Sequence, residues 1–319
     1  MQKIKDVNIG EMIDTTLVVL SATARETKTK KPFLQMEFFD GTDTIVGMYW
    51  DWGGVNIPAK NSVLDVMAQV TEYMGVKQLN VKLITTNNEV PLSAFAPDSG
   101  INIEDVYMEA FSMCCDIKDN FLREVSLASL EALGSRWKTV PGAKGVHHAF
   151  LGGTLIHSLS VAKIALAISR NIPESNNDLC FVGGLLHDLG KLYTYTLNGV
   201  TIDMTTDGQL YDHTFMGAEF IGNFIDNNEL CKAEKDEYKA RILRHIILSH
   251  HGQLEYGAAV PPMCIEAHIV NHADGVDASV QQIIEQSKKS NTMFTDRIYT
   301  LNNKPQLTVQ YVKEVFSGE

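Results

Sequence analysis

A histidine and an aspartate stand side by side in an apolar segment, in the stretch GGLLHDLGK at residues 183–191. A buried ionised carboxylate beside an imidazole is costly unless a hydrogen bond, a salt bridge or a metal ion compensates it. All ten histidines of the chain follow residue 146. Along the chain, the candidate metal ligands on or beside predicted helices are His157, His187, Asp188, His213, His250, His251 and Asp274. Imidazole and carboxylate groups are accepted by Mn²⁺, Fe²⁺, Zn²⁺ and Ni²⁺, so this set predicts a metal centre.

The predicted helices place these residues beside core-facing surfaces. His187 and Asp188 lie in the C-terminal half of a helix whose apolar residues point inward, and Lys191 follows His187 by four residues on the same stripe. Asp274 and Asp277 share one face of the last long helix. This arrangement is what a metal site inside a helical bundle requires.

A second histidine pair competes for a metal ion. His268 and His272 are four residues apart, which is the spacing of a zinc motif on a helix. The glutamate that follows the first histidine in metalloprotease helices is absent, so we expect no metal site there.

The chain changes its hydrophobic period after about residue 90. Residues 1–90 contain five β-branched and aromatic runs separated by hairpin-type breaks, which predict a five-stranded OB-fold barrel. We expect residues 91–145 to be a linker and helical connector, and residues 146–319 to be an all-α bundle. The predicted fold class is therefore multi-domain α+β.

Helical periodicity marks six segments after the barrel. The predicted helices cover residues 103–115, 118–134, 154–171, 178–193, 236–249 and 262–288. The polar, turn-rich stretch 196–213 is expected to hold a short hairpin.

Composition excludes several classes of protein. The formal net charge of −12 provides no global basic field for nucleic acid. The five cysteines are odd in number and form no CxxC pair, which argues against a disulfide framework or a zinc knuckle. No secretory leader and no apolar run of about 20 residues is present, so we expect a cytoplasmic protein without a membrane span.

The ligand pattern resembles that of the HD-domain metal-dependent phosphohydrolases. His157, His187-Asp188 and Asp274 match the residues that name this family, and His213 with His250-His251 match the added ligands of members that hold two metal ions. The order of barrel and HD domain also resembles the YhaM-type 3′→5′ exoribonucleases, as do four segments of the chain. These segments are HHAFLGGTLIHSLSVA (147–162), ILRHIILSHHG (242–252), ADGVDA (273–278) and TDRIYTLNNK (295–304). One departure is Asn271, where that family often carries histidine.

The resemblance implies hydrolysis of phosphodiester bonds at two divalent cations, most often Mn²⁺, with iron, nickel, zinc or magnesium as alternatives. Asp188 is expected to bridge the two ions, because a carboxylate binds two ions and an imidazole does not. With Asp188 and Asp274 ionised, the loaded site would keep a net charge of about +2. Lys191 is expected to contact a phosphate oxygen during catalysis. His148, His245 and Arg297 are further candidates, either for contact with a substrate phosphate or for a hydrogen bond to a metal ligand.

The barrel is expected to bind the substrate, single-stranded RNA or DNA. A basic segment carries Arg25, Lys28, Lys30 and Lys31, and the strands beyond it carry Phe33, Phe38, Phe39, Tyr49, Trp50 and Trp52. Alternation along PFLQMEFFD sends Phe33 and Phe39 to one face, and Leu34, Met36 and Phe38 to the other. One set must fill the barrel, so only the other can stack on bases.

Two other functions remain open from sequence. An HD phosphohydrolase could act on a small nucleotide, such as a dNTP or a cyclic dinucleotide, with a regulatory barrel. No GYP tripeptide follows His250-His251, which disfavours the cyclic-dinucleotide version. A non-enzymatic single-strand-binding protein with a relic HD domain is disfavoured because no ligand position is missing. The sequence leaves open the oligomeric state, the metal, the choice between RNA and DNA, and whether His250 or His251 is the direct ligand.

Overall fold

The computed structural model of the protein describes residues 3–54, 56–96, 100–143, 148, 150–227 and 234–317. These residues form two compact units. One comprises Met1–Asp98 with Leu197–Thr201, and the other comprises Ser99–Thr196 with Ile202–Glu319. No helix in the described ranges is long and apolar enough to cross a membrane.

The first unit is a closed five-stranded barrel. Its strands are β1 (Met12–Glu26), β2 (Pro32–Phe39), β3 (Thr44–Tyr49), β4 (Val63–Tyr73) and β5 (Val76–Thr86). The strand order is β1-β2-β3-β5-β4, and β1 closes the barrel by pairing with β4. All pairs are antiparallel except β3 with β5. The predicted OB-fold barrel is confirmed.

The long strand β1 closes the barrel because it serves two neighbours. Its first half pairs with β4, with Leu17 opposite Leu64, and its second half pairs with β2, with Ala24 opposite Leu34. The register with β2 shifts between Val19 and Ser21. A bulge of this kind bends a strand and increases its twist, which allows one strand to belong to both sides of a small barrel.

The two faces predicted for PFLQMEFFD are observed, and the structure decides which of them fills the barrel. Leu34, Met36 and Phe38 are buried in its core. Phe33 and Phe39 point to the other face of β2. Phe39 packs on a separate small apolar cluster with Val18 and Phe95, and Phe33 is only 9% exposed, with its ring packed against that of Trp50.

The second unit is mainly helical. Its helices are α1 (Ile103–Cys115), α2 (Asn120–Ala132), α3 (Gly134–Thr139), α4 (Gly153–Ser169), α5 (Asn177–Leu186), α6 (Lys191–Thr194), α7 (Thr206–Asn227), α8 (Glu234–Ser249), α9 (Ile265–Ser287) and α10 (Val309–Ser317). The strands β6 (Tyr195–Asn198) and β7 (Thr201–Met204) form the predicted hairpin. The sequence missed α3, α7 and α10. Part of α7 lies in the stretch predicted as turn-rich.

The segment 91–145 differs from the expected connector. Helix α1 begins where Asn102 accepts a hydrogen bond from the backbone N–H of Glu104, and it packs into the core of the helical unit. Ala110 and Cys114 of this helix share one apolar cluster with Leu155 and Leu185. The first helices therefore belong to the bundle. The boundary drawn at residues 145–146 lies outside the described residues.

The predicted helix 178–193 is interrupted at the HD dipeptide. Helix α5 ends at Leu186, turns follow, and α6 begins at Lys191. The chain here packs closely on its neighbours. A Cβ at Gly184 would lie 2.8 Å from Ala162 Cα on α4, and a Cβ at Gly190 would overlap the carbonyl oxygen of His213 on α7. These glycines bring the HD dipeptide close to the helices that carry other candidate ligands.

Substitution Gly190→Ala tests this close approach. The added methyl must push apart the HD turn and α7, so we expect the free energy of unfolding to fall by about 2–3 kcal/mol. Urea denaturation of the purified protein measures this change.

Gly275→Ala is the matched control. A Cβ at Gly275 on α9 meets no atom within 4 Å, so the higher helix propensity of alanine should raise stability by up to about 1 kcal/mol. Equal effects of the two substitutions would contradict the packing argument.

Candidate metal centre

Separate elements of the helical unit bring the seven predicted metal ligands together. His157 lies on α4, and His187 with Asp188 lies on the turn after α5. His213 lies on α7. His250 and His251 follow the end of α8, and Asp274 lies on α9. The helix packing thus gathers residues that are up to 117 positions apart in sequence, from His157 to Asp274.

One half of the cluster, which we call site 1, consists of His157, His187, Asp274 and the Oδ2 atom of Asp188. The Nε2 atom of His157 lies 3.2 Å from Asp274 Oδ1, 3.4 Å from Asp188 Oδ2 and 3.3 Å from His187 Nε2. The Nε2 atom of His187 lies 3.3 Å from Asp188 Oδ2 and 3.9 Å from Asp274 Oδ1. Four ligand atoms therefore face one point.

The other half, which we call site 2, consists of His213, His250, His251 and the Oδ1 atom of Asp188. Asp188 Oδ1 lies 3.4 Å from His213 Nε2 and 3.6 Å from His250 Nε2. His213, His250 and His251 present nitrogen atoms within 4.8 Å of one another. Asp188 thus gives one oxygen atom to each site, which is the arrangement expected of a bridging carboxylate.

The distances and the unpaired atoms fit divalent cations. Metal bonds of about 2.1 Å place neighbouring ligand atoms about 3.0–3.4 Å apart, close to the spacings in both sites. Among the described residues, Asp188 Oδ1, His213 Nε2 and His250 Nε2 are buried and have no hydrogen-bond partner. Buried polar atoms are normally paired, and three such atoms converging on one point are what a bound cation would satisfy.

In three of the histidines, the contact made by the second ring nitrogen explains the orientation of the ring. His187 and His250 donate Nδ1–H to the carbonyl oxygens of Gly184 and Ile247, at 2.7 Å in both cases. His157 Nδ1 lies 2.7 Å from Asp277 Oδ2. An acceptor at Nδ1 places the proton there and leaves the Nε2 lone pair to face the cluster.

Two carboxylates that are not among the seven predicted ligands also contact the histidines. Asp277 contacts His157, accepts a hydrogen bond from Ser160 and lies 3.0 Å from His148 Nε2. Asp212 contacts Nδ1 of His213. The spacing of Asp277, one turn after Asp274, was a usable sequence signal. Nothing in the local pattern marked Asp212.

Lys191 lies inside the cluster. Its Nζ atom is 2.6 Å from Asp188 Oδ2, and its side chain is only 13% exposed. Because the helix breaks after Leu186, the residue that Lys191 contacts is Asp188 and the expected stripe with His187 does not form. Burial opposes the charged form of Lys191, but the charge of Asp188 outweighs burial and raises the lysine pKa.

Without any bound ion, the cluster brings ionised carboxylates close to basic side chains, and this shifts the pKa values of both. Burial would raise the pKa of Asp188, but Lys191 and His187 hold it well below its usual value. Burial also opposes a charged His157, yet the nearby carboxylates of Asp188, Asp274 and Asp277 raise the His157 pKa well above its ordinary value. His250 differs, because burial and then the charge of His187 lower its pKa.

The three predicted substrate-contact residues of the second unit differ in placement. His148 is buried and linked to Asp277 as described, so it adjoins site 1. His245 lies on α8, where its Nε2 accepts a hydrogen bond from the backbone N–H of Met263 at 3.0 Å. Arg297 is exposed, and it takes part in none of the cluster contacts described above. The geometry therefore supports a role near the site for His148 and gives none to His245 or Arg297.

The competing histidine pair and Asn271 lie on α9. His268 and His272 are exposed, and neither joins a candidate metal group among the described residues. Asn271 donates a 2.6 Å hydrogen bond from Nδ2 to the carbonyl oxygen of His250. The side-chain amide of Asn271 thus connects α9 to the residue that follows α8.

The predicted basic segment comprises the end of β1 and the exposed turn between β1 and β2. Arg25, Lys28, Lys30 and Lys31 are all exposed, and Lys31 pairs with Asp51 at 3.0 Å. The rings of Phe33 and Trp50 stand beside this turn with centroids 4.5 Å apart. Trp50 is 40% exposed and Phe33 only 9%, so Trp50 is the ring of this pair that the barrel presents next to its basic turn.

The raised pKa of His157 predicts how stability depends on pH. A raised histidine pKa stabilises the fold fully below the unfolded value of about 6.5, and this contribution is lost as pH rises through the folded pKa. We expect the free energy of unfolding of chelator-treated protein to fall above pH 6.5, by at most about 1.4 kcal/mol per pH unit. Urea titrations between pH 6.5 and 9 measure this slope.

Two controls test whether His157 causes the decline of stability at alkaline pH. His157→Gln should remove the alkaline decline. Saturating Mn²⁺ should also flatten it, because only neutral imidazole binds a cation. His245, His250 and His251 have lowered pKa values, mainly through burial, so they act below pH 6.5. A flat profile for the chelated wild-type protein would contradict the assignment.

Comparison with known proteins agrees with this geometry. Residues 154–279, which include all seven predicted ligands, match the HD domain family model. The chain is 28% identical over 313 residues to the 3′-5′ exoribonuclease YhaM of Listeria welshimeri, covering 95% of this chain and 97% of that protein. It is 29% identical over 321 residues to the same-named protein of Geobacillus sp. (strain WCH70), covering 97% and 94%. The resemblance drawn from the motifs is confirmed: the helical unit contains an HD domain, the fold of metal-dependent phosphohydrolases, and the chain is similar along nearly its whole length to the YhaM exoribonucleases.

Proposed function

We propose that the protein is a metal-dependent 3′→5′ exoribonuclease that hydrolyses single-stranded RNA, with single-stranded DNA as a further substrate. The observation that carries the proposal is the placement of Asp188, whose two carboxylate oxygens face two separate sets of ligand atoms. The two sets would hold two divalent cations, one in each site, and such a pair of cations suits the hydrolysis of a phosphodiester.

The relatives support the choice of substrate. The two similar proteins compared above are named 3′-5′ exoribonucleases, and each aligns with both the barrel and the HD domain of this chain. An HD domain alone is compatible with several phosphate substrates. The combination with a barrel that presents an exposed tryptophan and a basic turn favours a polynucleotide.

The charges of the residues favour an anionic substrate only when cations are bound. Asp188, Asp274, Asp277 and Asp212 contribute four negative charges and Lys191 one positive charge, so two divalent cations leave about one net positive charge. This is less than the two expected from Asp188 and Asp274 alone. Bound cations would supply Lewis-acid activation of the phosphodiester and of the attacking water.

Lys191 is the lysine side chain that brings a positive charge into the cluster. Its ammonium group is held by Asp188, and its side chain is 13% exposed. A phosphate oxygen entering the cluster can share this donor, which would stabilise the added negative charge of the transition state. Among the described residues, Asp188 and Lys191 are therefore our candidates for the catalytic groups, with the histidines and Asp274 as metal ligands.

The barrel would hold the single strand through stacking and phosphate contacts. The exposed ring of Trp50, which packs on Phe33, offers a platform for a base, and stacking on an aromatic side chain contributes about 1–3 kcal/mol per base with little sequence preference. Arg25, Lys28, Lys30 and Lys31 would attract the backbone despite the negative charge of the whole chain.

An assay with 5′-labelled RNA and Mn²⁺ tests the activity. We expect a ladder of products that shortens from the 3′ end. Asp188→Asn should reduce turnover by at least about 1,000-fold, because it removes the charge shared by both sites, while RNA binding is retained. Denaturing gels measure turnover, and fluorescence anisotropy measures binding.

Asp226→Asn, an exposed carboxylate on α7, is the matched control and should retain full activity. Labelled RNA that stays intact while mononucleotides or cyclic nucleotides are hydrolysed would instead favour the small-nucleotide alternative. A parallel assay with labelled single-stranded DNA decides whether DNA is also a substrate.

Substitution Trp50→Ala tests the barrel surface. Loss of one stacking partner should weaken RNA binding by about 5–100-fold, whereas Trp50→Phe, which keeps an aromatic face, should bind within about threefold of the wild-type protein. Metal content should be the same in all three proteins. Equal affinities for the alanine and wild-type proteins would rule out the proposed platform.

A further inference from the structure

Asp212 occupies an unusual backbone conformation inside α7. The helix runs from Thr206 to Asn227, but φ and ψ at Asp212 are 63° and 159°. Residues with a Cβ rarely adopt this combination, which is populated mainly by glycine. The interruption lies one residue before His213, whose Nε2 faces Asp188 at 3.4 Å.

The side chain of Asp212 holds the imidazole of His213. Its Oδ1 atom accepts a hydrogen bond from the backbone N–H of His213 and also contacts Nδ1 of the same residue. The carboxylate itself remains 61% exposed. Asp212 therefore does not fill the core, and its described contacts are made to a candidate metal ligand.

The carboxylate of Asp212 takes the place of a backbone carbonyl acceptor that two other histidine ligands have. His187 and His250 each donate Nδ1–H to a backbone carbonyl three residues earlier, on the last turn of the preceding helix. His213 comes directly after the interruption, so no regular helical turn precedes it to offer the same acceptor. The carboxylate of the neighbouring residue supplies that acceptor.

We propose that Asp212 is a positioning residue for the cation of site 2, and that its strained backbone serves to turn its carboxylate onto His213 Nδ1. This arrangement aims His213 Nε2 at Asp188 Oδ1. The inference rests on the metal centre of the proposed function. It assigns a role to a residue outside the set of metal ligands.

The proposal predicts opposite effects of one substitution on stability and on metal binding. Asp212→Gly relieves the backbone strain and removes the acceptor. We expect the melting temperature of the metal-free protein to rise by about 2–4 °C. We expect the affinity for Mn²⁺ at one of two sites to fall about 10–100-fold, which is the usual effect of losing a partner of a metal-bound histidine.

Full-length, chelator-treated protein would be titrated with Mn²⁺ alone by calorimetry, and its melting temperature measured in parallel. Asp212→Asn keeps the side-chain size and the strain, so its melting temperature should stay within about 1 °C of the wild type while the same binding step weakens. Glu219→Gln, an exposed carboxylate on α7, should change neither quantity. Asp277→Asn should weaken the other step, because Asp277 contacts His157 of site 1.

The outcomes separate the two proposals. Wild-type affinity at both steps in Asp212→Gly and Asp212→Asn would overturn the positioning role while leaving the metal centre intact. A lower melting temperature in Asp212→Gly with unchanged Mn²⁺ binding would assign Asp212 a structural role only. A wild-type protein that binds no Mn²⁺ would overturn the metal centre and this inference with it. If the glycine variant does not fold, the binding steps of Asp212→Asn still decide the question.

Discussion

The buried carboxylate of Asp188 is the constraint on which the helical unit depends. An ionised group at this depth needs charges or donors around it, and the chain supplies Lys191 at 2.6 Å together with imidazoles on both sides. The distances of 3.3–3.6 Å to the imidazole nitrogens are too long for good hydrogen bonds and suited to shared cations. The carboxylate therefore links two ligand sets that the chain delivers from separate elements.

Some of those ligands do not lie on regular helix. The helical backbone ends or is interrupted next to His187, Asp188 and His213. The chain leaves helix α5 at His187, and α7 is interrupted at Asp212. Gly190 lets the HD turn approach the carbonyl oxygen of His213 closely, so both irregular segments meet at the cluster. Backbone departures of this kind cost stability and persist where surrounding contacts or function maintain them. Their coincidence with candidate ligands is a second line of support for a functional centre.

A layer of carboxylates behind the histidines changes the electrostatics of the centre. Asp277 and Asp212 contact the rear nitrogens of His157 and His213, one in each site. They fix the tautomers and increase the basicity of the rings. They also lower the net charge of a loaded site, which gives the single ammonium group of Lys191 more weight in attracting an anionic substrate. A centre loaded with two divalent cations would thus be near neutral and not strongly cationic.

The sequence by itself determined the elements with a strong period and the identity of the candidate ligands. Alternation in PFLQMEFFD separated the two faces of β2, and the structure then placed the face with Met36 in the barrel core; the HD dipeptide marked the centre of the bundle. Only the tertiary structure decided the rest. The break after Leu186, the kink at Asp212 and the engagement of His245 by the backbone of Met263 follow from packing between segments distant in sequence. Hydrophobic periodicity reports which face of an element is buried, because burial is averaged along that element. The meeting of two particular atoms depends on how separate elements pack against each other, which no local pattern encodes.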